Sequence, residues 1–539
     1  IPKFRGLLSI SVCEICIYFN FRLQMKMIEY LVITSSVLLL ILDIGIMGSP
    51  HGKLMKMFDQ EQRMLNHLQR YIKQQETSVR LLERHLREVW SSVPREVDRD
   101  QYVRHAINNY LLVRRLVFGW SKIARIASLF STPRPNVRWP GLEDLSGVMR
   151  YLFRLQQTYQ LKTAHLAHGF VDGDQADVVV TGLDTFLMAE ANAQSHDFQL
   201  AKEWLDNTIA KADNTVSFSD ILELKVLSVC FLGESTGSIS ALTQLLEDFP
   251  DFKPSPYLLN TWQTIANFDC PTHKQALENM RYQHSMLDPN FMTRFNTLCR
   301  AVTGSSLQPQ HVLSCRYVHY NKTRLRLGPF RAEELQLDPP VLLFHDVISD
   351  AEIREVQKCA IRSKMEASEI YNERDEAYVN RDRSSESSDL RPRECSVMVR
   401  LLQRLGDMTN LDVATAETSQ VTRYGVGGEY LFHFDNDILS QDCSRNCRIA
   451  TLITYLNDVP SGGHTVFRQW GLSVRPQKRT ALFWFNYHRN GTGDVTTDHA
   501  GCPVIRGSKW VLNLWFHHFN SFPSCFQDDN RSSFKYFYV

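Results

Sequence analysis

The chain lacks any excess of one charge. Its 60 lysines and arginines offset 59 aspartates and glutamates, leaving a formal net charge of +1 over 539 residues. Nucleic acids and anionic membranes select strongly basic surfaces, so this balance gives no general reason to expect either as a partner. Cysteine is sparse. Twelve residues are too few for a disulfide-dense scaffold of this length, and the one zinc-like Cys-x2-Cys pair is Cys13/Cys16. Beyond residue 50 no stretch is long and apolar enough to span a bilayer. The final "KYFYV" is not a Lys-Asp-Glu-Leu-type retention signal.

What is present points to several domains, because 539 residues exceed one ordinary core. Met25-Lys26-Met27 precedes "IEYLVITSSVLLLILDIGIMGSP", residues 28–50. A short basic start, an apolar core and then small residues read as a secretory signal peptide cleaved near Gly48. Asp43 interrupts the apolar run, which separates it from a membrane anchor. Residues 1–24 are then an upstream extension and 25–48 the signal peptide. A secretory route permits disulfides and glycans at Asn321, Asn490 and Asn530, each in an Asn-x-Ser/Thr triplet.

Residues 53–130 are rich in Leu, Arg, Gln and Glu, with one proline, Pro94. Met64, Leu68, Ile72, Val79, Leu82, Leu86 and Val89 recur at steps of three, four or seven and share one helix face. That stripe suits either a helical dimerisation segment, assigned to 49–144, or packing on its own domain. Pro133, Pro135 and Pro140 break the pattern. Helix pairs at 184–212 and 220–250, with Trp204 and Pro250 at characteristic places, resemble a tetratricopeptide repeat within 145–260. The concave side of such a unit can bind peptide; a plain helical spacer is the alternative. Residues 261–336 are a connecting region. From 337 the text reads strand, turn and a helix capped by Ser349 or Asp350, then a polar mobile loop (372–394) and a helix (395–409).

After 418 the segments become short, aromatic and β-branched, separated by Gly-rich or polar turns. This predicts an antiparallel β barrel or jelly roll. Within it, "YLFHFDND" (430–437) carries His433 and Asp435 one residue apart. If the segment is extended, both point the same way with Leu431, while Phe432 and Phe434 take the other face. An imidazole and a carboxylate on one face, with a distant histidine, would make the facial triad of non-haem Fe(II) enzymes. A buried His–Asp hydrogen bond is the plainer alternative. Spacing does not choose the third ligand among His464, His488, His499, His517 and His518.

"RYGVGGEYLFHFD", "YLNDVPSGGHTVF", "VRPQKRTALFWFN" and "DHAGCPVIRGSKWVLNLWFHH" closely resemble the catalytic domain of collagen prolyl 4-hydroxylase α subunits. The resemblance runs from about 340 to 525, and the helical regions before it match the same family in order. It implies a multidomain chain with an all-α N-terminal half. The C-terminal domain, 337–539, would be a double-stranded β-helix. It implies an Fe(II)- and 2-oxoglutarate-dependent dioxygenase that hydroxylates peptidyl proline at C4, using O2 and sustained by L-ascorbate. His433, Asp435 and His499 fall on the iron ligands. Lys509 falls on the lysine that pairs with the distal 2-oxoglutarate carboxylate, a role suited to an ammonium in an apolar barrel. Tyr424 and His517 fall on further cosubstrate-pocket positions.

The same resemblance implies disulfides Cys299–Cys315 and Cys502–Cys525, and leaves Cys443 and Cys447 without partners. It implies protein disulfide isomerase as the β subunit of an α2β2 tetramer in the endoplasmic reticulum lumen, with no stable membrane span. One departure concerns the peptide-binding repeats. The family places tyrosines in an Ala-Tyr-x3-Asp-Tyr pattern; here Ala193 and Phe198 stand in their places. Phe198, with Trp204, remains an aromatic candidate for a proline-rich peptide, because polyproline II segments dock on aromatic faces. A proline-rich secreted substrate other than collagen would fit that change. A non-catalytic peptide-binding subunit and a related dioxygenase acting elsewhere are the competing readings.

Overall fold

The computed structural model describes residues 50–92, 98–120, 123, 140–211, 213, 215–232, 289–301, 314–371, 377–378, 383–436, 447–488 and 492–517. The signal peptide, Cys13, Cys16, Asn490, Asn530, Cys443 and Cys525 lie outside them, as does most of the second helix pair expected at 220–250. The chain divides into two units, residues 1–84 and 85–539.

Helix α1 spans Pro50–Ser92. Straight-chain helix formers fill it and its interior holds no proline. Met64, Leu68, Ile72, Val79 and Leu86 all stay exposed along it. In the second unit, α2 (Leu142–Tyr159) buries Leu145, Met149, Leu152, Phe153 and Leu155, a stripe at helical spacing. Helices α3 (Gly182–Gln194), α4 (Phe198–Lys211) and α5 (Phe218–Phe231) follow. Thr181 and Asp184 start α3 with a reciprocal capping box. Trp204 corrects an expectation. It is 1% exposed, and its Nε1 donates to Gln156 Oε1 at 3.1 Å. The large ring fills the core between α2 and α4, so it has no face for a peptide. Phe198 is half-buried and stacks on Phe231, with ring centroids 4.5 Å apart.

Helix α6 (Pro289–Arg300), α7 (Asp350–Arg362) and α8 (Val397–Thr409) belong to the C-terminal half. Of the two caps considered for α7, Ser349 holds the position, its hydroxyl accepting from the Glu352 amide. The strands are β1 (Cys315–Val318), β2 (Phe330–Leu337), β3 (Pro340–His345), β4 (Glu366–Ala367), β5 (Glu386–Leu390), β6 (Ser419–Tyr424), β7 (Tyr430–His433), β8 (Arg448–Tyr455), β9 (Thr465–Phe467), β10 (Leu472–Val474), β11 (Ala481–Phe485), β12 (His499–Gly501) and β13 (Lys509–His517). Nine form one sheet in the order β1-β2-β3-β11-β8-β13-β6-β5-β4; four form another, β7-β12-β9-β10. All these pairings are antiparallel.

Residue alternation explains the layering. Leu342, Phe344, Phe483, Phe485, Leu512 and Leu514 join one cluster with Val356, Leu401 and Leu405 of α7 and α8. Their immediate neighbours Val341, Leu343, Leu482, Trp484 and Val511 join a second cluster with Phe467 and Leu472 of the four-stranded sheet. The nine-stranded sheet is thus covered by helices on one face and by the smaller sheet on the other. The stretch expected as loop, 372–394, contains β5, which pairs with β6. Its polar "ESSDL" satisfies backbone groups that β6 would otherwise leave open.

The disulfide expectation is also corrected. Cys299 bonds to Cys502, with Cα atoms 5.5 Å apart. Helix α6 lies on the four-stranded sheet, and Phe295, Leu298 and Cys299 pack with Val466, Ala500 and Cys502. Cys315 is an exposed free thiol at the start of β1, in the other sheet. A second bond, Cys359–Cys395, joins α7 to the segment before α8. Cys447 is a buried free thiol.

Candidate metal and cosubstrate site

β7 and β12 pair so that His433 and His499 are register partners. The pairing slips between Tyr430 and His433. That irregularity overturns the simple alternation expected of 430–436. Tyr430 stacks on the His433 ring, centroids 3.6 Å apart, and Leu431 and Phe432 pack on the same cluster. β7 ends at His433, and Asp435 sits in the bend beyond it. A pairing slip re-aims side chains such as Tyr430 and His433 in this way, and the bend after the strand brings the carboxylate to both imidazoles.

Nε2 of His433 lies 3.7 Å from Asp435 Oδ1, and Nε2 of His499 lies 3.6 Å from Oδ2. One ligand atom from each residue falls within 4.8 Å of the others, and this is the only such His/Cys/Asp/Glu group among the described residues. Each imidazole uses Nδ1 on a backbone carbonyl: His433 on Leu431 O at 2.8 Å, His499 on Thr497 O at 3.0 Å. A carbonyl can only accept, so Nδ1 carries the proton and Nε2 presents a lone pair to the centre. Burial, with the neighbouring His499, holds His433 well below its ordinary pKa. Burial opposes ionisation of Asp435, but the neighbouring histidines and Arg448, with the hydrogen bond from Thr451, together hold its pKa below the ordinary carboxylate value. Two neutral imidazoles and one carboxylate fit a divalent transition metal.

Asp435 is itself held. Thr451 of β8 donates to its Oδ2 at 2.6 Å, and Asn486 Nδ2 donates to the Thr451 hydroxyl at 2.9 Å. Trp484 Nε1 donates to Asn486 Oδ1 at 2.8 Å, completing a buried network. Trp484 also packs on the His499 ring, centroids 4.7 Å apart. None of these supports was singled out by sequence reasoning.

The site opens into a cavity of about 1250 Å³ between the two sheets. Lys509, Val511, Asn513 and Trp515 line it from alternate positions of β13. Lys509 is 4% exposed. Its Nζ reaches Thr465 Oγ1 at 3.3 Å and stands 5.6 Å from the Tyr424 ring centre and 5.7 Å from that of Tyr455. Among the described residues no carboxylate pairs with it. Burial pushes its pKa down to about 7. An uncompensated buried ammonium beside a metal-type triad is a receptor for an anion.

Tyr424 faces Lys509 directly across β6 and β13. His517 lies at the far end of β13, where Nε2 sits 2.8 Å from Glu417 Oε1; Glu417 lines the cavity but His517 does not. Of the other histidines weighed as third ligand, His464 pairs with Ser473 at 2.9 Å and His488 lies 3.7 Å from Asp494. His518 is outside the described residues. Arg383 also lines the cavity, its guanidinium 5.1 Å from the centre of the Tyr430 ring. One signal was available in advance: on β13, Lys509 and Asn513 interrupt an apolar strand on one face, the mark of a polar cavity wall.

Comparison with known proteins agrees with this arrangement. Residues 51–173 match the family model for the prolyl 4-hydroxylase alpha-subunit, N-terminal region, and residues 419–517 match the 2OG-Fe(II) oxygenase superfamily. Prolyl 4-hydroxylase subunit alpha-2 of Caenorhabditis elegans is 31% identical over 439 residues, covering 77% of this chain and 81% of that protein. Prolyl 4-hydroxylase subunit alpha-1 of Mus musculus is 30% identical over 497 residues, covering 86% and 92%. The human subunit alpha-1 is 29% identical with the same coverage. The chain therefore belongs to the family of prolyl 4-hydroxylase alpha subunits.

Proposed function

We propose that the chain is the catalytic subunit of a prolyl 4-hydroxylase, hydroxylating peptidyl proline at C4 in collagen-like or other proline-rich secretory proteins. The observation that carries this is the juxtaposition of His433, Asp435 and His499 in one cavity with the buried Lys509, which pairs with no carboxylate among the described residues. The three ligands would hold Fe(II), leaving positions for a chelating cosubstrate and O2. Bound there, iron and 2-oxoglutarate supply oxygen activation coupled to decarboxylation to succinate and CO2. L-ascorbate serves as the reductant that keeps the iron ferrous.

The protein's own part is positioning. The Nδ1 hydrogen bonds fix both imidazoles, and Thr451 fixes the carboxylate. Lys509, protonated at Nζ, pairs with the distal carboxylate of 2-oxoglutarate, with Tyr424 beside it. Phe467 and Trp484 wall His499 with apolar surface and keep water from that side. The two-sheet layout supports a double-stranded β-helix, and α3–α5 support a tetratricopeptide-like peptide-binding region. The exposed stripe of α1 would serve dimerisation. Protein disulfide isomerase as β subunit and the endoplasmic reticulum lumen complete the proposal, consistent with the secretory start.

The test uses the full chain co-expressed with protein disulfide isomerase. It is supplied with Fe(II), ascorbate, 2-oxoglutarate and proline-rich peptides including (Pro-Pro-Gly) repeats, reading succinate and peptide mass. A gain of one oxygen on the collagen-like peptide, dependent on 2-oxoglutarate, establishes the chemistry and substrate class. Succinate without that product points to another proline-rich substrate, the reading favoured by Ala193 and Phe198. No succinate from folded, iron-loaded protein would favour a non-catalytic binding subunit.

A further inference from the structure

Helices α2 and α6 stand behind the strands that carry the two histidines. Arg154 of α2 places Nε 2.9 and 3.0 Å from the two carboxylate oxygens of Glu429. The pair is largely withdrawn from solvent, with side chains 16% and 10% exposed. Glu429 immediately precedes Tyr430, the residue stacked on His433. Its backbone is clamped too, with its carbonyl accepting from the Ser384 amide at 2.9 Å and its amide donating to the Ser384 hydroxyl at 3.1 Å. Phe295 of α6 meets Phe432, which immediately precedes His433, edge to face at 5.6 Å. The Arg154 guanidinium also lies over the Phe295 ring at 5.0 Å. Two residues shortly before His433, Glu429 and Phe432, are thus gripped by helices that both end more than a hundred positions before the matched oxygenase segment 419–517.

From this we infer that Arg154 is a positioning residue for the metal centre, acting through Glu429 on the bulged segment that carries Tyr430 and His433. The inference rests on the metal reading proposed above. Its physical basis is the slipped register of β7. A strand that departs from regular pairing needs outside contacts to hold its side chains, and a desolvated arginine–carboxylate pair is a stiff one. Removing Arg154 takes a charged, hydrogen-bonding partner from a desolvated carboxylate, which costs free energy unless the segment shifts to compensate. Supports of this kind typically set metal affinity by tenfold or more.

The experiment is Co(II) titration of the full chain by calorimetry and visible absorption, with wild type, Arg154→Lys, Arg154→Ala, Glu429→Gln and the Arg154→Ala/Glu429→Gln double variant. Circular dichroism and melting temperature are recorded alongside. Expected are roughly tenfold weaker Co(II) binding and an altered Co(II) spectrum in Arg154→Ala and Glu429→Gln. Arg154→Lys should rescue part of the loss, and the double variant should be no worse than the poorer single one. Wild-type affinity and spectrum in Arg154→Ala, with only a lowered melting temperature, would reduce the pair to a structural tie and overturn the inference. Fully additive losses in the double variant would also overturn it, since the residues would not act as a unit. Wild type that binds no Co(II) would overturn the metal reading and this inference with it; a loss confined to the variants separates the two.

Discussion

Tyr424 and Lys509 are register partners on neighbouring antiparallel strands, and that pairing places the Lys509 ammonium 5.6 Å from the centre of the Tyr424 ring. The strand ladder, more than any local sequence feature, brings the cation to the cavity. Truncating a buried charge that meets an opposite charge typically costs about 2–5 kcal/mol. Lys509→Ala should therefore raise the 2-oxoglutarate KM by roughly thirtyfold or more while Co(II) binding persists. An unchanged KM would show that the lysine serves another purpose.

The same group sets a pH dependence. In the free chain Lys509 titrates near 7 instead of 10.5, and pairing with a carboxylate raises it again. Only the protonated form binds the anion, so 2-oxoglutarate affinity should be full below pH 7 and fall as pH rises above it. Without cosubstrate the unfolded chain holds more protons than the folded one between pH 7 and 10.5, so this lysine makes stability rise with pH in that window. Calorimetry in buffers of different ionisation enthalpy should detect net proton uptake on 2-oxoglutarate binding at pH 8. Absence of uptake would contradict the lowered pKa.

Asp435→Ala should abolish both turnover and Co(II) binding, because it removes one of three ligand groups. Thr451→Val tests the support behind it. It deletes a 2.6 Å hydrogen bond to the carboxylate at nearly constant volume, and metal affinity should fall roughly tenfold or more. Retained affinity would mean the Asn486 network is dispensable.

Trp204→Ala should lower stability by about 3–5 kcal/mol, the cost of emptying a large buried aromatic site. In protein that remains folded, the peptide KM should be unmoved. Phe198→Ala should do the reverse in kind: a smaller stability loss and a raised peptide KM. Denaturant unfolding with peptide kinetics on both variants distinguishes a core ring from a contact ring.

Non-reducing digestion and mass spectrometry should yield linked peptides Cys299–Cys502 and Cys359–Cys395. Recovery of Cys299 linked to Cys315 would restore the pairing implied by the family resemblance.

Much of the site was legible. His433 and Asp435 stand two positions apart, so spacing alone nominated them, and the motif resemblance selected His499 and Lys509. The halves of the fold were legible as well, since Leu/Arg/Gln/Glu-rich helices and short β-branched strands differ in period. Three things were not. The pairing slip before His433 and the bend that brings Asp435 inward have no signature in "YLFHFD". β5 reads as a polar loop because its residues face a cavity and its strand bonds are backbone bonds. Trp204 reads as a binding aromatic because sequence does not say on which side of a helix the neighbouring helix lies.

By itself, then, the sequence determined the residue types and local spacings: a histidine–aspartate pair, a lysine ten places after a histidine, helix stripes and strand alternation. These follow from chain geometry within a few residues. Only the tertiary structure decided which groups meet. The pairing of β7 with β12 and the bend after β7 set the approach of Asp435 to His499, and the β6–β13 register sets Tyr424 against Lys509. The packing of α6 on the smaller sheet joins Cys299 to Cys502, and the seat of α2 joins Arg154 to Glu429. Each depends on contacts between segments far apart in the chain, where strand register and layer packing, and not local propensity, carry the free energy.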